Sequence, residues 1–410
     1  MKKFFALLLS LAMVLALVAC GQKDPTPDTP DTPDDPQTKV EYKVAMITDY
    51  GDITDQSFNQ TTYEACKAFA EDNSIEFSYF KPAGDNTADR VAMIEKAVND
   101  GFNVIVMPGY AFGGAIVEAA PEFPDVKFIA LDVAAGDLLE TAVAKAGESY
   151  DYTPENWDLN KYVDMSNVYC AVYQEELCGY MAGYAAVKLG YKNLGFLGGM
   201  SVPAVVRYGY GFVQGVDAAA ADMGLTDVKL NYIYGGQFFG DADITAVMDT
   251  WYQGGTEVVF ACGGGIYTSA VDAAKKVNAK VIGVDVDQAG VIAKYAGVDG
   301  MTVTSAMKGL YPATYDTLTD VIVNGNWDKY VGKIETLGLV SGTDPEANYV
   351  QIPMGDGTQW SDSFTQDDYK AMVKDMFDGK ITVSNNTSSD VSAADFATVI
   401  TVDDQGSIKG

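Results

Sequence analysis

The sequence has 410 residues, of which 57 are acidic, 27 are basic and none is histidine, giving a formal net charge of −30. A field of that sign repels phosphate groups, which excludes nucleic acid as a partner and favours a neutral or cationic small ligand. Without histidine, histidine-dependent triads and zinc sites are excluded as well. Hydrophobic residues make up 48% of the chain, which rules out general disorder.

The N-terminus has the pattern of a secretory signal that ends in a lipid-modified cysteine. Residues 4–16 are almost wholly apolar, and Leu17-Val18-Ala19 precede Cys20. The pattern predicts a signal peptide over residues 1–19 and a lipid on the thiol of Cys20. An ordinary signal peptide or a short transmembrane helix is the alternative, although the apolar stretch is short for a span. We therefore expect a protein anchored through this lipid to the extracytoplasmic face of the cell membrane.

Residues 20–40 are predicted to be the lipidated N-terminus and a linker rich in proline and aspartate. The stretch 24–37 reads DPTPDTPDTPDDPQ and contains no large apolar side chain. Such a segment cannot bury enough surface to offset its ordering entropy, so we expect an extended, disordered spacer. A proline-rich docking ligand is the alternative.

Residues 42–132 alternate apolar strands with amphipathic helices. Strands are predicted over residues 42–48, 75–80, 103–107 and 127–132, and helices over residues 58–72, 86–100 and 113–120. Continuous apolar strands such as Val104-Ile105-Val106-Met107 are typical of a parallel sheet covered on both faces.

The alternation is interrupted at residues 134–166 and then resumes. The interruption is polar, with Tyr150, Tyr152 and Trp157 among acidic residues, and is predicted to be an excursion over the surface. Further strands are predicted over residues 168–173, 194–197, 228–234, 257–261, 280–285, 301–306, 334–339 and 349–352. Further helices are predicted over residues 175–189, 204–222, 244–252, 268–277, 310–323 and 366–377.

Two successive strand–helix runs predict an α/β fold of two Rossmann-like lobes, with parallel sheets joined by a hinge. Lobe 1 is predicted to contain residues 41–170 and about 298–342, and lobe 2 residues 171–297 and about 343–410. In such sheets ligands bind outside the carboxyl ends of the strands. Candidate residues at those ends are Asp49, Pro108-Gly109, Asp132, Gly198-Gly199, Gly263 to Gly265 and Asp285. The cleft between the lobes is therefore the predicted site.

Several patterns that could suggest metal or cofactor sites are better explained by structure. The cysteines after the linker lie in apolar patterns without metal-ligand spacing and are expected to be buried thiols, with one disulfide left open; they are Cys66, Cys170, Cys178 and Cys262. The glycine runs lack the dinucleotide spacing, and the aspartates near residue 52 lack the alternation of a calcium loop. We predict no metal and no cofactor. Tyr208, Tyr210 and Phe212 are expected to pack in the core.

Residues 48–60, TDYGDITDQSFNQ, resemble the opening signature of the basic membrane protein family. Further matching segments are FIALD at 128–132, EELCGYMAG at 175–183, GFLGGM at 195–200, YGGQF at 234–238, VIGVDVDQ at 281–288, TSAMK at 304–308 and GKI at 379–381. The resemblance covers nearly all of residues 44–383. It implies a lipoprotein of the type I periplasmic-binding-protein fold, similar to the purine-nucleoside-binding subunits of ATP-driven importers.

The resemblance implies that two aromatic side chains bind a base. Phe58 begins a helix just after a strand end, and the matching phenylalanine of the family stacks on the base. Phe238 matches the second side of that clamp, with Phe239 as the alternative. Stacking contributes about 1–3 kcal/mol per base. The alternative for both phenylalanines is packing in the core. Gly265 is also predicted to line the ligand site.

The resemblance also implies the polar ligand-binding residues. Asp285 ends an apolar strand and would accept hydrogen bonds from the purine edge, with a helix cap as the alternative. Asp49 and Asn59 would contact the base or the sugar, with turn chemistry as the alternative. Asp132 and Lys308 would hold the ribose hydroxyls, with a surface salt bridge as the alternative for Lys308.

The chain departs from the family pattern at two places. It has Ile266-Tyr267 after the glycine run, and Thr61 where relatives have glycine. We expect these side chains to narrow the pocket or add a hydrogen bond, which makes a sugar or another small neutral metabolite the alternative ligand.

The expected function is that of a lipid-anchored receptor, not an enzyme. It would close two lobes around a nucleoside, with a purine nucleoside favoured, and deliver it to ABC permease subunits. A nucleoside-cleaving enzyme would need a metal-binding aspartate cluster or a positioned base, and the sequence displays neither. A surface adhesin is the third alternative.

Overall fold

The computed structural model describes residues 41–409, so the predicted signal peptide, Cys20 and the linker lie outside the described residues. The strands are β1 Lys43–Ile47, β2 Glu76–Phe80, β3 Val104–Pro108, β4 Lys127–Leu131, β5 Val168–Tyr173, β6 Asn193–Gly198, β7 Lys229–Tyr234, β8 Val258–Cys262, β9 Lys280–Asp285, β10 Thr302–Lys308, β11 Ile334–Leu337, β12 Val350–Gln351 and β13 Thr401–Ser407. The helices are α1 Phe58–Asn73, α2 Thr87–Asn99, α3 Phe112–Ala119, α4 Ala135–Lys145, α5 Leu159–Tyr162, α6 Glu175–Lys188, α7 Pro203–Met223, α8 Ala242–Gln253, α9 Tyr267–Val277, α10 Ala289–Ala296, α11 Leu310–Leu318 and α12 Gln366–Phe377.

The strands form two sheets that share one strand order. The first has six strands in the order β11-β5-β4-β3-β1-β2, and the second has seven in the order β12-β10-β9-β8-β6-β7-β13. The described strand pairs are parallel, except that β12 runs antiparallel to β10. Strands β1 to β5 and β6 to β10 therefore repeat the 2-1-3-4-5 order of doubly wound sheets. The predicted α/β fold of two parallel-sheet lobes is confirmed.

The core of each lobe follows from unbroken apolar strands covered by helices. Every residue of β3 is buried, as expected for a strand with helices on both faces of its sheet. In the second lobe α6 and α7 pack closely at Gly179. A Cβ at this position would lie 2.3 Å from the carbonyl oxygen of Tyr208, so only glycine permits this approach. This close approach places the first turns of α7 beside the carboxyl ends of the second sheet.

The chain passes between the two sheets at three places that are hydrogen-bonded to one another. The connections follow β5, β10 and β11. The Gln174 N–H donates to the Leu337 carbonyl at 3.0 Å, and the Gly309 N–H donates to the Tyr349 carbonyl at 2.7 Å. The Tyr349 N–H in turn donates to Gly338 at 3.0 Å. The three adjacent crossings form the joint between the lobes.

The surface excursion predicted over residues 134–166 is wrong in its first third. Residues Ala135–Lys145 form α4, which buries Leu138, Leu139, Ala142 and Val143 against the first lobe. These apolar residues share one helical face, and packing of that face outweighs the polar average of the segment. The part beyond α4 lies mostly on the surface, where Tyr152 is 72% exposed, although Val163 and Met165 are buried.

The expectation that residues of about 298–342 return to lobe 1 is wrong for β10. This strand pairs with β9 in the second sheet, whereas β11 pairs with β5 in the first. The physical reason is that a short strand–helix–strand crossover places consecutive parallel strands side by side. Helix α10 supplies that crossover between β9 and β10.

The four cysteines within residues 41–409 are buried and free, as expected for packing thiols. Burial raises the pKa of each thiol, so the thiolate form that reacts and binds metals is disfavoured.

Candidate ligand-binding site

A cavity of about 340 Å³ lies where the carboxyl ends of the two sheets face each other. Its volume is within the range of small-molecule pockets. The eight residues that the sequence singles out for ligand contact all line it; they are Asp49, Phe58, Asn59, Asp132, Phe238, Gly265, Asp285 and Lys308. Both lobes contribute to this set, and the role of each residue toward a ligand stays a prediction.

The start of α1 is shaped by Asp55, which sequence reasoning did not assign to the site. Its carboxylate accepts the backbone N–H groups of Ser57, Asn59 and Gln60 at 2.9, 2.9 and 3.1 Å. Because Asp55 caps the helix, the Ser57 hydroxyl is free for another partner. Burial raises the pKa of Asp55 to about 6, although these backbone donors act in the opposite direction.

The released Ser57 hydroxyl reaches across the cleft to Asp285. It donates to Oδ2 at 2.6 Å, while the Tyr208 hydroxyl donates to Oδ1 at 3.2 Å. Asp285 is the last residue of β9 and has φ of 65°, a left-handed conformation that aspartate tolerates. Asp285 lines the cavity at this strand end. The expectation that Tyr208 only packs is therefore incomplete, because its position at the carboxyl edge after β6 brings the hydroxyl into the site.

Lys308 is buried, which contradicts the surface salt bridge considered as its alternative. Its ammonium donates to Asp132 at 2.5 Å and to Glu175 at 3.3 Å, and lies 3.9 Å from Asp285. Burial opposes its charge, but these three carboxylates outweigh burial and raise the pKa of Lys308. The same ammonium lies 4.7 Å from the centroid of the Phe58 ring, within cation–π range.

Glu175 and Arg207 extend this charge network away from the cavity, since Glu175 pairs with both Lys308 and Arg207. Glu175 is fully buried at the start of α6, and its second oxygen accepts from Arg207 Nε at 2.6 Å. Neither residue was singled out for the site, although Glu175 lies in a segment that resembles the family. Their proximity could not be predicted from the sequence, because Glu175 lies on α6 and Arg207 on α7, and these helices follow different strands.

Asp132 and Asn59, which both line the cavity, each have one buried side-chain oxygen without a hydrogen-bond partner among the described residues. In both residues this oxygen is Oδ1. Asp132 directly follows β4 with φ of 60°, the same left-handed conformation that Asp285 has at the end of β9 in the other lobe. Burial raises the pKa of Asp132 to about 6 despite the nearby ammonium of Lys308. Such orphan acceptors suit the hydroxyl or amine donors of a ligand.

Asp49 combines turn chemistry with a place in the cavity wall. Its Oδ1 accepts the N–H groups of Tyr50 and Gly51 at 2.6 and 2.7 Å, and lies 3.4 Å from the Asn59 amide nitrogen. Burial raises the pKa of Asp49 although these donors favour its charged form. Ligand contact and turn chemistry are therefore compatible roles for Asp49.

Groups from both lobes meet beside the cavity. The Tyr50 hydroxyl lies 3.1 Å from the sulfur of Met200, and the Tyr50 and Phe238 ring centroids are 6.1 Å apart. Phe238 fits because Gly199 and Gly263 lack side chains, since a Cβ at these positions would lie 2.3 and 2.7 Å from its ring. The alternative, Phe239, also lines the cavity but is 60% exposed.

The two departures from the family pattern lie outside the cavity wall. Among the described residues that line the cavity, neither Thr61 nor Tyr267 appears. Thr61 donates to the Ser57 carbonyl at 2.6 Å within α1, and Tyr267 packs edge-on against Tyr295. The expectation that they narrow the pocket is therefore wrong.

These features define the class of two-lobed solute-binding proteins. Residues 42–343 match the Bmp family model, described as ABC transporter substrate-binding protein PnrA-like, and the chain belongs to this family. It is therefore the substrate-binding protein of an ABC transporter, a role that implies a small-molecule ligand and permease partners.

The chain is similar to individual relatives and, in its fold, to a solved structure. The chain is 25% identical over 389 residues to the ABC transporter nucleoside-binding protein BmpA of Lactococcus lactis subsp. cremoris, covering 92% of this chain and 96% of the relative. It is 26% identical over 316 residues to an uncharacterized lipoprotein of Pyrococcus abyssi, covering 74% and 69%. The crystal structure of a solute-binding protein of an ABC transporter system from Aeropyrum pernix K1 superposes with a TM-score of 0.60 at 20% identity, covering 84% of this chain and 88% of that one. No helix within residues 41–409 has the length and apolar character needed to cross a bilayer.

Proposed function

We propose that the protein captures a purine nucleoside between its lobes and delivers it to the permease of an ABC importer. The observation that carries this proposal is the meeting of two aromatic rings, Phe58 and Phe238, with the carboxylates of Asp132 and Asp285 in one cavity. A nucleoside has a flat π-face, an edge of donors and acceptors, and a cis-diol. The family assignment and the name of the Lactococcus relative support the same ligand class.

Each part of the ligand then has a partner. The rings of Phe58 and Phe238 stack on the base. Asp285, held by Ser57 and Tyr208, accepts base N–H groups. The unpaired Oδ1 of Asp132 accepts a ribose hydroxyl, and Lys308 remains paired beside it.

Membrane attachment through a lipid on Cys20 belongs to the same proposal. The sequence around Cys20 and the lipoprotein name of the Pyrococcus relative support it. In cells, Cys20→Ser should shift the protein from the membrane fraction to the medium or the soluble fraction. Unchanged membrane retention would contradict the lipid anchor.

Calorimetry of protein freed of bound ligand by unfolding and refolding tests the ligand. Inosine, guanosine and adenosine should bind, uridine should bind more weakly because its ring is smaller, and ribose should not compete. Binding of ribose without binding of any nucleoside would overturn the proposal and favour a sugar receptor. Release of free base from inosine during incubation would instead indicate an enzyme.

A further inference from the structure

The C-terminal segment after α12 lies beyond residues 42–343 that match the family, yet it is tied along one side of α7. Gln214 exchanges hydrogen bonds with the backbone of Ser384 at 2.8 and 3.0 Å. The Tyr210 hydroxyl donates to the Val391 carbonyl at 2.9 Å. Asp217 accepts the N–H and hydroxyl groups of Thr398 at 2.8 and 2.6 Å. These contacts guide the segment toward the edge of the second sheet.

There the segment adds β13 to β7 as a parallel edge strand. The Ile408 N–H donates to the Tyr234 carbonyl at 2.8 Å, directly before the loop over residues 235–241 that contains Phe238. Gly236 of this loop has φ of 79°, and a Cβ there would lie 2.7 Å from Lys409. The loop backbone is thus shaped to receive the end of the segment.

Lys409 connects to the loop on both sides of Phe238. Its ammonium donates to Gln237 Oε1 at 2.9 Å and forms an ion pair with Asp241. The Gln237 amide donates to the Phe239 carbonyl and to Asp241, each at 2.9 Å. The Asp241 carboxylate also caps α8 through the Ile244 N–H. Phe238 is therefore bracketed by residues that Lys409 links.

We propose that Lys409 is a positioning residue, through which the C-terminal segment holds the loop over residues 235–241 so that the Phe238 ring faces the ligand. This inference rests on the proposed function for its effect on affinity. Lys409 does not line the cavity and acts only through Phe238. Loss of its ammonium leaves Gln237 and Asp241 without their shared donor, so the loop samples more conformations and the ring must be ordered when the ligand binds.

The test compares Lys409→Ala with Lys380→Ala in the full chain. Lys380 is a suitable control because it pairs with Asp375 and Asp378 on the surface, far in sequence from the loop. Lys409→Ala should weaken inosine binding roughly threefold to tenfold, whereas Lys409→Arg and Lys380→Ala should bind like the unaltered protein. In a Phe238→Ala background, Lys409→Ala should cause no further loss, because its effect passes through that ring.

Hydrogen exchange provides a readout that needs no ligand. Amides of residues 235–241 should exchange faster in Lys409→Ala, with the remaining amides unchanged. Equal exchange in this loop, or an affinity loss that persists in the Phe238→Ala background, would overturn the inference. Absence of nucleoside binding in the unaltered protein would overturn the proposed function instead, and loop exchange would still decide whether Lys409 holds the loop.

Discussion

At the scale of single residues, the polar side chains of the cavity are held by other side chains, several of them across the two lobes. Asp285 is fixed by Ser57 and Tyr208, and Lys308 is fixed by Asp132 and Glu175. Such fixed partners reduce the ordering cost of binding and give hydrogen bonds a defined direction.

The two aromatic rings supply the first prediction. Phe58→Ala and Phe238→Ala should each weaken inosine binding about fivefold to 150-fold, because each removes one stacking face worth about 1–3 kcal/mol. Phe377→Ala is the control, since this ring is 49% exposed and does not line the cavity. Calorimetry of the three variants decides the matter, and full affinity in Phe58→Ala would contradict a stacked base.

The second prediction concerns pH and Asp132. Burial raises the pKa of this carboxyl to about 6, and a ribose hydroxyl that donates to it favours the ionised form. Ligand binding therefore lowers the pKa, and affinity should fall as the pH drops from about 7.5 to about 5. Calorimetry across this range should show a smaller change in Asp132→Asn.

Asp55 titrates near the same pH, because burial raises its pKa to about 6. Asp55→Asn is therefore the matched comparison and should retain the pH dependence caused by Asp132. An affinity of the unaltered protein that does not vary with pH would argue against ribose contact at Asp132.

At the scale of elements, α1 depends on a cap that lies three residues before its first residue. Asp55→Ala should destabilise the protein by about 0.5–2 kcal/mol, because three backbone N–H groups lose their acceptor. Asp55→Asn should lose less, since it keeps one acceptor oxygen. The pKa of Asp55 is raised from 3.8 to about 6, so its ionisation opposes folding as pH rises through this window, and its hydrogen bonds provide the stabilisation.

Urea unfolding measures this difference. Asp52→Ala is the control, because Asp52 is an exposed neighbour that pairs with Lys81. Equal unfolding midpoints for Asp55→Ala and Asp52→Ala would contradict the capping role.

Local patterns predicted most elements, but not their long-range partners. Apolar runs and helical spacing identified β3 and α2, and strand ends identified Asp132 and Asp285. The assignment of β10 to a sheet depends on pairing with β9, which no local pattern specifies. For Tyr208 the sequence predicts only packing, because its hydroxyl partner Asp285 lies 77 positions away along the chain. Likewise, α4 was missed because averaging over a polar segment concealed its apolar face.

At the scale of the whole molecule, the described structure has its lobes in contact across the cleft. Tyr50 follows β1 in the first sheet, and Met200 follows β6 in the second, so their contact joins the two lobes directly. Contacts of this kind are made as the lobes close and must break before a ligand leaves.

Met200→Ala should therefore speed nucleoside release about twofold to tenfold and leave association nearly unchanged. Stopped-flow measurement of both rates checks this, with Met223→Ala, an exposed methionine at the end of α7, as the control. Equal release rates in Met200→Ala and the unaltered protein would show that this contact does not retain the ligand.

The negative charges of the cavity wall disfavour ligands that contain a phosphate group. Among the described residues, five aspartates and one lysine line the cavity, and that lysine is already neutralised by its own partners. A nucleoside monophosphate would bring about two further negative charges into this cavity, and none of the lining residues that the structure describes offers a free cation to receive them. If the cargo is a nucleoside, extracellular nucleotides must first lose their phosphate to a hydrolase at the cell surface, and uptake through this protein would depend on that step.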